Sequence, residues 1–177
     1  MAQSDSQFVC TIREATQADV ETLERMRLAL QAHFAKVNPH IVALSAQRMA
    51  TLKDFYRNLI DNPRARVLLA HEPSGTQRMG MAVGRIIRHE EFEPTVWGYI
   101  DDVWVEPAYR RRGMCRALMT RLLEFFERAQ VEVLVLDYVR GNTEAEGTWK
   151  QFGFQPVLTV ANARLTEVRK RIQGKAP

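Results

Sequence analysis

One stretch in the second half of the chain decides the fold, and it reads Val103-Trp104-Val105-Glu106-Pro107-Ala108-Tyr109-Arg110-Arg111-Arg112-Gly113-Met114-Cys115-Arg116-Ala117-Leu118. An apolar strand runs into a proline turn, and three arginines then precede a glycine at the start of an amphipathic helix. The first turn of a helix leaves backbone N–H groups unpaired, and the helix dipole adds partial positive charge there. Because Gly113 has no Cβ, the backbone can approach a ligand closely at that point. The stretch therefore predicts a turn that holds a phosphate or pyrophosphate group.

Two common phosphate-binding motifs are missing from the sequence, the Gly-x-x-x-x-Gly-Lys-Ser/Thr loop and the Gly-x-Gly-x-x-Gly dinucleotide fingerprint. The segment Arg110–Cys115 instead resembles motif A of the GNAT N-acetyltransferase superfamily, Arg/Gln-x-x-Gly-x-Gly/Ala after a Val-x-Pro strand end. The resemblance implies acetyl-CoA as co-substrate, with its pyrophosphate on this loop. It also implies a set of cofactor-binding residues in this region: Val103, Trp104, Val105, Arg110, Arg111, Arg112, Gly113, Met114, Cys115 and Arg116.

A second motif follows at the spacing that the family shows. Asn142 and Ala145 match the Asn-x-x-Ala of motif B, and Gly153-Phe154 match its Gly-Phe end. Motif A then covers about 97–129 and motif B about 132–156, and the resemblance adds Asn142 and Trp149 to the cofactor-binding residues. The sequence departs from the family at Cys115, where a second Gly or Ala is usual. It also has Trp149 where many members carry a tyrosine that acts as general acid.

The periodicity of the chain predicts strands and helices in the order βααβββαβαβ, which matches the GNAT fold. We therefore expect one α/β (α+β) domain over 1–177, with a mixed, splayed central sheet flanked by helices. The strands are expected over 8–13, 66–71, 77–88, 97–105, 132–139 and 154–164, with a hairpin turn over 73–76. The helices are expected over 16–35, 45–60, 113–129 and 142–152.

Candidate catalytic groups lie on two neighbouring strands. Asp101 and Asp102 are adjacent acids in an otherwise apolar strand, where aspartate is disfavoured. Since successive strand residues point to opposite faces unless a bulge intervenes, we expect one of the two in the cleft as base or substrate ligand. Tyr138 is a candidate to protonate the leaving thiolate. We interpret His33 and His40 as surface histidines, although the family places their region over the acceptor cleft.

The composition of the chain limits the classes of protein to which it can belong. The 177 residues are 46% hydrophobic and 26% charged, as in a soluble globular protein. No apolar run is long enough to cross a membrane, and the first residues lack a signal-peptide pattern, so we expect a cytoplasmic protein. The net charge of +4 is concentrated near residues 110–112 and in the C-terminal tail. Since no basic stripe with interleaved aromatic residues appears, we expect no nucleic-acid partner.

The remaining expectations concern the reaction and its partners. Cys10 and Cys115 show no metal-binding or redox spacing, so no metal is expected. The hypothesis is an N-acetyltransferase that acts on a primary amine of a small molecule or protein, by direct attack in a ternary complex. The alternative is a catalytically weak acyl-CoA-binding domain with a regulatory or scaffold role. The identity of the acceptor and a homodimeric state stay open at this stage.

Overall fold

The computed structural model describes residues 10–73 and 77–174, and its centre is a five-stranded sheet. The strands lie side by side in chain order: β1 Thr11–Glu14, β2 Ala65–His71, β3 Arg78–Arg88, β4 Val96–Val105 and β5 Val133–Leu136. Strands β1 to β4 pair with one another in antiparallel fashion, and β5 runs parallel to β4. The mixed α/β sheet expected from the sequence is therefore confirmed.

Helices cover both faces of this sheet. They are α1 Val20–Val37, α2 Ala46–Ala50, α3 Leu52–Ile60, α4 Met114–Arg128, α5 Thr143–Gln151 and α6 Leu165–Ile172, with a 3₁₀ turn at Gln17–Asp19 before α1. On one face, α1 and α3 bury apolar residues that include Leu23 and Tyr56 against β2 and β3. On the other face, α4 buries Leu118, Leu122 and Phe126. The amphipathic pattern thus identified α4 correctly and placed its apolar stripe on the sheet.

The single helix expected over 45–60 is two helices. They meet at Thr51, whose φ of −101° and ψ of 7° interrupt the helical path, and whose hydroxyl donates to the carbonyl oxygen of Gln47 at 3.1 Å. Beyond this point α3 buries Leu52 and Leu59, whereas α2 buries none of its residues. The apolar spacing continues across the break, so periodicity alone does not reveal it. Among the described residues, no helix is long and apolar enough to cross a membrane.

The prediction of the last strand was wrong. Residues 154–164 form no strand, and the chain continues instead into the exposed helix α6. A strand exists only beside another strand, and no described strand lies next to this segment. The first expected strand is observed only as Thr11–Glu14, since residues 8–9 lie outside the described part of the chain. The same holds for residues 74–76 of the expected hairpin turn.

Candidate active site

The central feature of the site is an opening in the sheet between β4 and β5. Pairing of these strands runs from Trp97 opposite Val133 to Ile100 opposite Leu136, where β5 ends while β4 continues to Val105. At this point β4 carries a bulge, because Val83 of β3 pairs with Asp102 but Gly84 pairs with Ile100. A bulge bends its strand and increases the local twist. The result is a cleft of about 910 Å³, at the place where the family resemblance implied a splayed sheet.

The free side of β4 supplies backbone donors to this cleft. The N–H of Glu106 donates to the carbonyl oxygen of Met79 on β3 at 2.9 Å, so the alternating ladder turns Trp104 towards β3 as well. Val103 and Val105 therefore direct their N–H and C=O groups away from β3. In agreement, the carbonyl oxygen of Val105 accepts a hydrogen bond from Nε of Arg110 at 3.0 Å on that side. An extended ligand can bind along this edge as an added strand does.

The predicted phosphate turn lies at one end of the cleft. Arg111 and Gly113 both have left-handed backbone, with φ of 60° and 80°, and α4 begins directly after them. A Cβ at Gly113 would meet no heavy atom within 4 Å, which leaves open space beside the first N–H groups of α4. These groups have no intrahelical acceptor. Five residues of this turn line the cleft together with Arg110, namely Arg111, Gly113, Met114, Cys115 and Arg116, whereas Arg112 does not.

The arginine side chains of the turn have different surroundings. Arg110 reaches back into the protein, where it bonds Val105 and pairs with Glu144 at 3.2 Å. Its guanidinium also lies 4.8 Å from the ring centroid of Trp104. Arg110 therefore braces the two walls of the cleft, because Glu144 belongs to α5 and Val105 to β4. Arg116 stacks over the ring of Phe152 at 5.1 Å, which holds its charge at the rim.

The two aspartates of β4 lie at the bulge and have different partners. Asp101 lines the cleft, but its carboxylate forms a bidentate pair with Arg85, with both N–O distances at 2.6 Å. Asp102 is only 8% exposed and is outside the cleft lining. It accepts a hydrogen bond from the hydroxyl of Tyr56 at 3.0 Å and faces Arg27 at 3.3 Å. Its burial raises its pKa, opposed by the charge of Arg27.

Asp101 thus lines the cleft, and Asp102 links β4 to helices α1 and α3. Asp102 is not among the residues that line the cleft, and its expected catalytic role stays a prediction. The bulge interrupts the alternation of side chains, because Ile100 packs against α4 whereas Asp102, two residues later, bonds Tyr56 on the opposite face of the sheet.

His33 is the cleft residue that the sequence analysis missed. It was expected on the surface, as His40 is, but it is half-buried and lines the cleft next to Trp104 and Asn142. The pKa of His33 is lowered by burial and by the charge of Arg110. Asn142 caps α5 by accepting the N–H of Ala145 at 3.2 Å, so its amide nitrogen faces Nε2 of His33 at 3.4 Å. This arrangement favours the neutral imidazole with a lone pair on Nε2.

The two aromatic residues of the second motif form the opposite wall. Tyr138 is half-buried and lines the cleft just beyond the end of β5. Trp149 is 8% exposed and makes edge contacts with Phe152 and Phe154, at centroid distances of 6.0 and 5.8 Å. Its indole therefore serves the core of this wall as well as the cleft surface. Trp149 has no hydroxyl, whereas Tyr138 presents one on this side.

The described part of the chain was searched for a reactive thiol and for a group of metal ligands. Burial raises the pKa of the Cys115 thiol to about 11, so it is neutral near pH 7 and a poor nucleophile. Within residues 10–73 and 77–174, no group of three or more His, Cys, Asp or Glu side chains is placed to hold a metal ion.

Solved structures with the same fold include several acetyltransferases. A predicted acetyltransferase from Clostridium acetobutylicum, solved with acetyl-CoA, is 18% identical with a TM-score of 0.72, and the match covers 90% of this chain and 98% of that one. An aminoglycoside acetyltransferase from an uncultured soil metagenomic sample, in complex with trehalose, is 14% identical with a TM-score of 0.65 and coverages of 90% and 98%. A ribosomal-protein-alanine N-acetyltransferase from Brucella melitensis is 16% identical with a TM-score of 0.62 and coverages of 89% and 100%.

These identities are low, so the structures establish the fold. No curated protein sequence is significantly similar to this chain. The family is established by the sequence itself, because the acetyltransferase (GNAT) family matches residues 29–154, well over half of the chain. That segment contains β4, the phosphate turn, α4 and the wall with Tyr138 and Trp149. The chain therefore belongs to the GNAT acetyltransferase family and is an N-acetyltransferase.

Proposed function

We propose that the protein transfers the acetyl group of acetyl-CoA to a primary amine by direct attack in a ternary complex, within one domain over 1–177. The observation that carries the proposal is the opening between β4 and β5, which ends against the N terminus of α4. The amine nitrogen forms a bond to the thioester carbonyl carbon, and the carbon–sulfur bond then breaks. The amine loses one proton, and the departing thiolate takes up one.

In this proposal, acetyl-CoA lies in the cleft with its pyrophosphate at the turn and its pantetheine arm along β4. Its pyrophosphate binds the N–H groups from Arg111 to Arg116, where the helix dipole and the side chain of Arg116 add positive charge. The pantetheine arm lies along the free edge of β4 and bonds Val103 and Val105. The N–H of Val105 is the donor for the oxyanion that develops on the carbonyl oxygen. Trp149 and Asn142 form the wall against which the arm packs.

His33 is our candidate for the base that takes the proton from the attacking amine. An alkylammonium has a pKa near ~10.4, so it must lose a proton before it attacks at neutral pH. His33 is neutral at pH 7 because its pKa is lowered, and the lone pair on its Nε2 accepts the Asn142 amide over a long 3.4 Å contact that the incoming amine would displace. Asp101 also lines the cleft, but its carboxylate is tied to Arg85. We propose that Asp101 instead attracts the cationic form of the acceptor.

Tyr138 is our candidate for the group that protonates the thiolate. It lies across the opening from β4, and Trp149 leaves the usual tyrosine position without a hydroxyl. Replacing Tyr138 by phenylalanine should lower kcat by about 10²-fold, the low end for loss of a general acid. If the variant keeps the wild-type kcat, the thiolate leaves unassisted or takes its proton from water.

The acceptor is expected to be cationic, on the basis of a surface beside Asp101. We define the aromatic shelf as His89, Phe92, Trp97 and Tyr99, which are joined by ring contacts of 4.7 to 6.5 Å. Tyr99 pairs with Arg85 across the strands, so the shelf continues to the Arg85–Asp101 pair. The loop beside it carries Glu90, Glu91 and Glu93. Aromatic faces and carboxylates both attract ammonium groups.

The setting of the enzyme follows from the same features. We propose a cytoplasmic enzyme without a metal, nucleic-acid or membrane partner, acting as a homodimer. The composition supports the proposed cytoplasmic location, since a quarter of the residues are charged. The cluster of arginines near residue 110 has an explanation in a coenzyme that carries several phosphate charges, so it requires no nucleic acid.

An acetylation screen tests the proposed reaction. Free thiol is measured after acetyl-CoA is mixed with polyamines, amino acids, aminoglycosides and peptides. The last two are included because an aminoglycoside acetyltransferase and a ribosomal-protein-alanine N-acetyltransferase share the fold. We expect release of thiol with at least one cationic amine and a matching acetylated product. Binding of acetyl-CoA with no turnover across the panel would instead favour an acyl-CoA-binding domain without catalysis.

The role of His33 is tested by a pH profile. Protonation of His33 removes the base, so kcat/KM for the amine should fall as pH drops through the pKa of His33, which burial and Arg110 lower from its ordinary value. His33→Gln should cost at least about 10²-fold at pH 7 and should lose this acidic limb. His40→Gln is the matched control, because His40 is exposed and outside the cleft. An unchanged rate in His33→Gln would exclude His33 as the base.

A further inference from the structure

The aromatic shelf is a surface that the core of the protein does not use. None of its four side chains belongs to either of the two clusters of buried apolar residues in the described chain. The rings contact one another instead, with Phe92 stacked on Trp97 at 5.1 Å between centroids and His89 at 4.7 Å from Trp97. Phe92 is 47% exposed. A contiguous group of exposed rings marks a contact surface for a ligand or a partner.

Hydrogen bonds hold the shelf in place before any partner arrives. Nε1 of Trp97 donates to the carbonyl oxygen of Pro94, in the turn between β3 and β4, at 2.7 Å. Nε2 of His89 lies 3.0 Å from the hydroxyl oxygen of Tyr99. Because the rings are already fixed, binding of a partner loses little free energy in ordering them. The shelf is therefore a preorganised surface.

The charge of the turn beside the shelf shows which partner fits. Its carboxylates are exposed, and none of them is paired with a cation among the described residues: Glu90, Glu91 and Glu93. Arg88 at the end of β3 bonds Thr95 at 3.3 Å and offsets one of these charges. The turn thus keeps a net negative charge, although the net charge of the whole chain is +4. A cationic partner is complementary to this surface, and a nucleic acid is not.

The shelf and the cleft lie on the same face of the sheet. Arg85 is directly opposite Tyr99 on the neighbouring strand, so the two side chains share a face. The side chain of Arg85 binds Asp101, which lines the cleft. Since a strand rises about 3.3 Å per residue, Trp97 lies about 13 Å from Asp101 along β4. A ligand that reaches from the cleft to the shelf is therefore a chain, and about four residues of extended peptide span this distance.

We propose that the acceptor is a peptide or protein chain, and that the shelf binds an arginine about four residues away from the amine that is acetylated. This inference rests on the proposed acetyl transfer and specifies its acceptor. Arginine fits the shelf because its planar guanidinium is weakly hydrated and stacks on aromatic faces. A free polyamine carries only compact, strongly hydrated ammonium groups, which use such faces less well.

A binding experiment tests the shelf without any turnover. The full chain is titrated with the amine-free peptide acetyl-Gln-Gly-Ser-Gly-Arg-Arg-amide, and with the same peptide in which citrulline replaces both arginines. The indole N–H signals of the three tryptophans are followed by NMR. We expect the signal of Trp97 to shift most, since Trp104 and Trp149 line the cleft. The arginine peptide should bind at least about tenfold more tightly than the citrulline peptide.

Two variants remove the two parts of the shelf surface separately. Phe92→Ser removes an exposed ring, and the triple variant Glu90→Gln/Glu91→Gln/Glu93→Gln removes the charge of the turn. Each should lower the affinity for the arginine peptide about tenfold and keep the thermal unfolding of the wild type. Leu123→Ser is the matched control for the ring, since Leu123 is 39% exposed on α4. The control for the charge changes three exposed glutamates elsewhere: Glu21→Gln/Glu127→Gln/Glu167→Gln.

A kinetic experiment connects the shelf with acetyl transfer. Lys-Gly-Ser-Gly-Arg-Arg-amide offers both kinds of peptide amine at its first residue, with arginine four residues further on. Its kcat/KM should exceed that of the citrulline peptide about tenfold, through KM. This ratio should fall towards one in Phe92→Ser and stay near tenfold in Leu123→Ser.

Three outcomes would overturn the inference and leave acetyl transfer intact. The first is equal binding and equal kcat/KM for the arginine and citrulline peptides. The second is an unchanged ratio in Phe92→Ser. The third is thiol release with spermidine but with neither peptide, or a shift of the Trp97 signal by spermidine as large as that by the arginine peptide. Thiol release with no amine at all would overturn acetyl transfer itself, and the peptide acceptor with it.

Discussion

Replacing Gly113 by alanine tests the phosphate-binding turn most directly. Gly113 has a φ of 80°, and a Cβ there meets no heavy atom within 4 Å. The cost to folding is therefore backbone strain alone, about 1–2 kcal/mol for alanine in a left-handed conformation. In a chain of this size that cost should lower Tm by roughly 2–8 °C.

The effect on affinity should be separate and larger. In the proposed complex, the new methyl group fills the space through which the pyrophosphate approaches the first N–H groups of α4. Loss of one hydrogen bond to a charged group costs about 1.5–3 kcal/mol. Gly113→Ala should therefore weaken acetyl-CoA binding by roughly 10- to 150-fold, as measured by titration calorimetry. The branched side chain in Gly113→Val should weaken binding further.

Gly153→Ala is the matched control for this prediction. Gly153 has a φ of 94° and equally open space around a Cβ, but it does not line the cleft. The two variants should lose similar stability, and only Gly113→Ala should lose affinity. If Gly113→Ala is destabilised as expected but binds acetyl-CoA as well as Gly153→Ala does, the pyrophosphate does not lie on this turn.

Two further predictions concern stability. The bidentate bond from Arg13, together with bonds from Thr16, holds the pKa of the buried Asp19 well below its usual range. Because that pKa is depressed, the stabilisation is present above the unfolded value of about 3.9 and is lost as pH falls below it. Asp19→Asn should thus lower the free energy of unfolding by about 2–3 kcal/mol at pH 7, since Arg13 is partly exposed, and should flatten the acid-side loss of Tm. Gly80→Ala should cost about 1–3 kcal/mol in urea denaturation, because its Cβ would lie 2.7 Å from the carbonyl oxygen of Trp104. Gly147→Ala in α5, where nothing lies within 4 Å, should gain about 0.5–1 kcal/mol, and equal effects in the two variants would contradict the packing at Gly80.

Local chemistry made the core of the site readable from the sequence. A glycine after a strand and a proline turn, at the first position of an amphipathic helix, defines its own backbone geometry. The structure shows the left-handed Gly113 and the N terminus of α4 at the expected position. The same reasoning placed Asn142 at the start of α5, where its side chain caps the helix. Such features depend on residues within a few positions of one another.

Only the tertiary structure decided which polar side chains share the cleft. The bulge in β4 arises from pairing with β3, which no local pattern encodes, and it determines the face of the sheet on which Asp102 lies. His33 reached the cleft because α1 packs across Trp104, so its role depends on a helix far away in sequence.

The segment after α5 shows a limit of prediction from sequence. Residues 154–164 have strand-forming sequence, yet they form no strand in the single chain. Amino-acid type determines only whether a segment is able to extend, so the strand expected here was wrong. Whether a segment becomes a strand depends on a second backbone that accepts its hydrogen bonds, and the position of that backbone is a property of the folded structure.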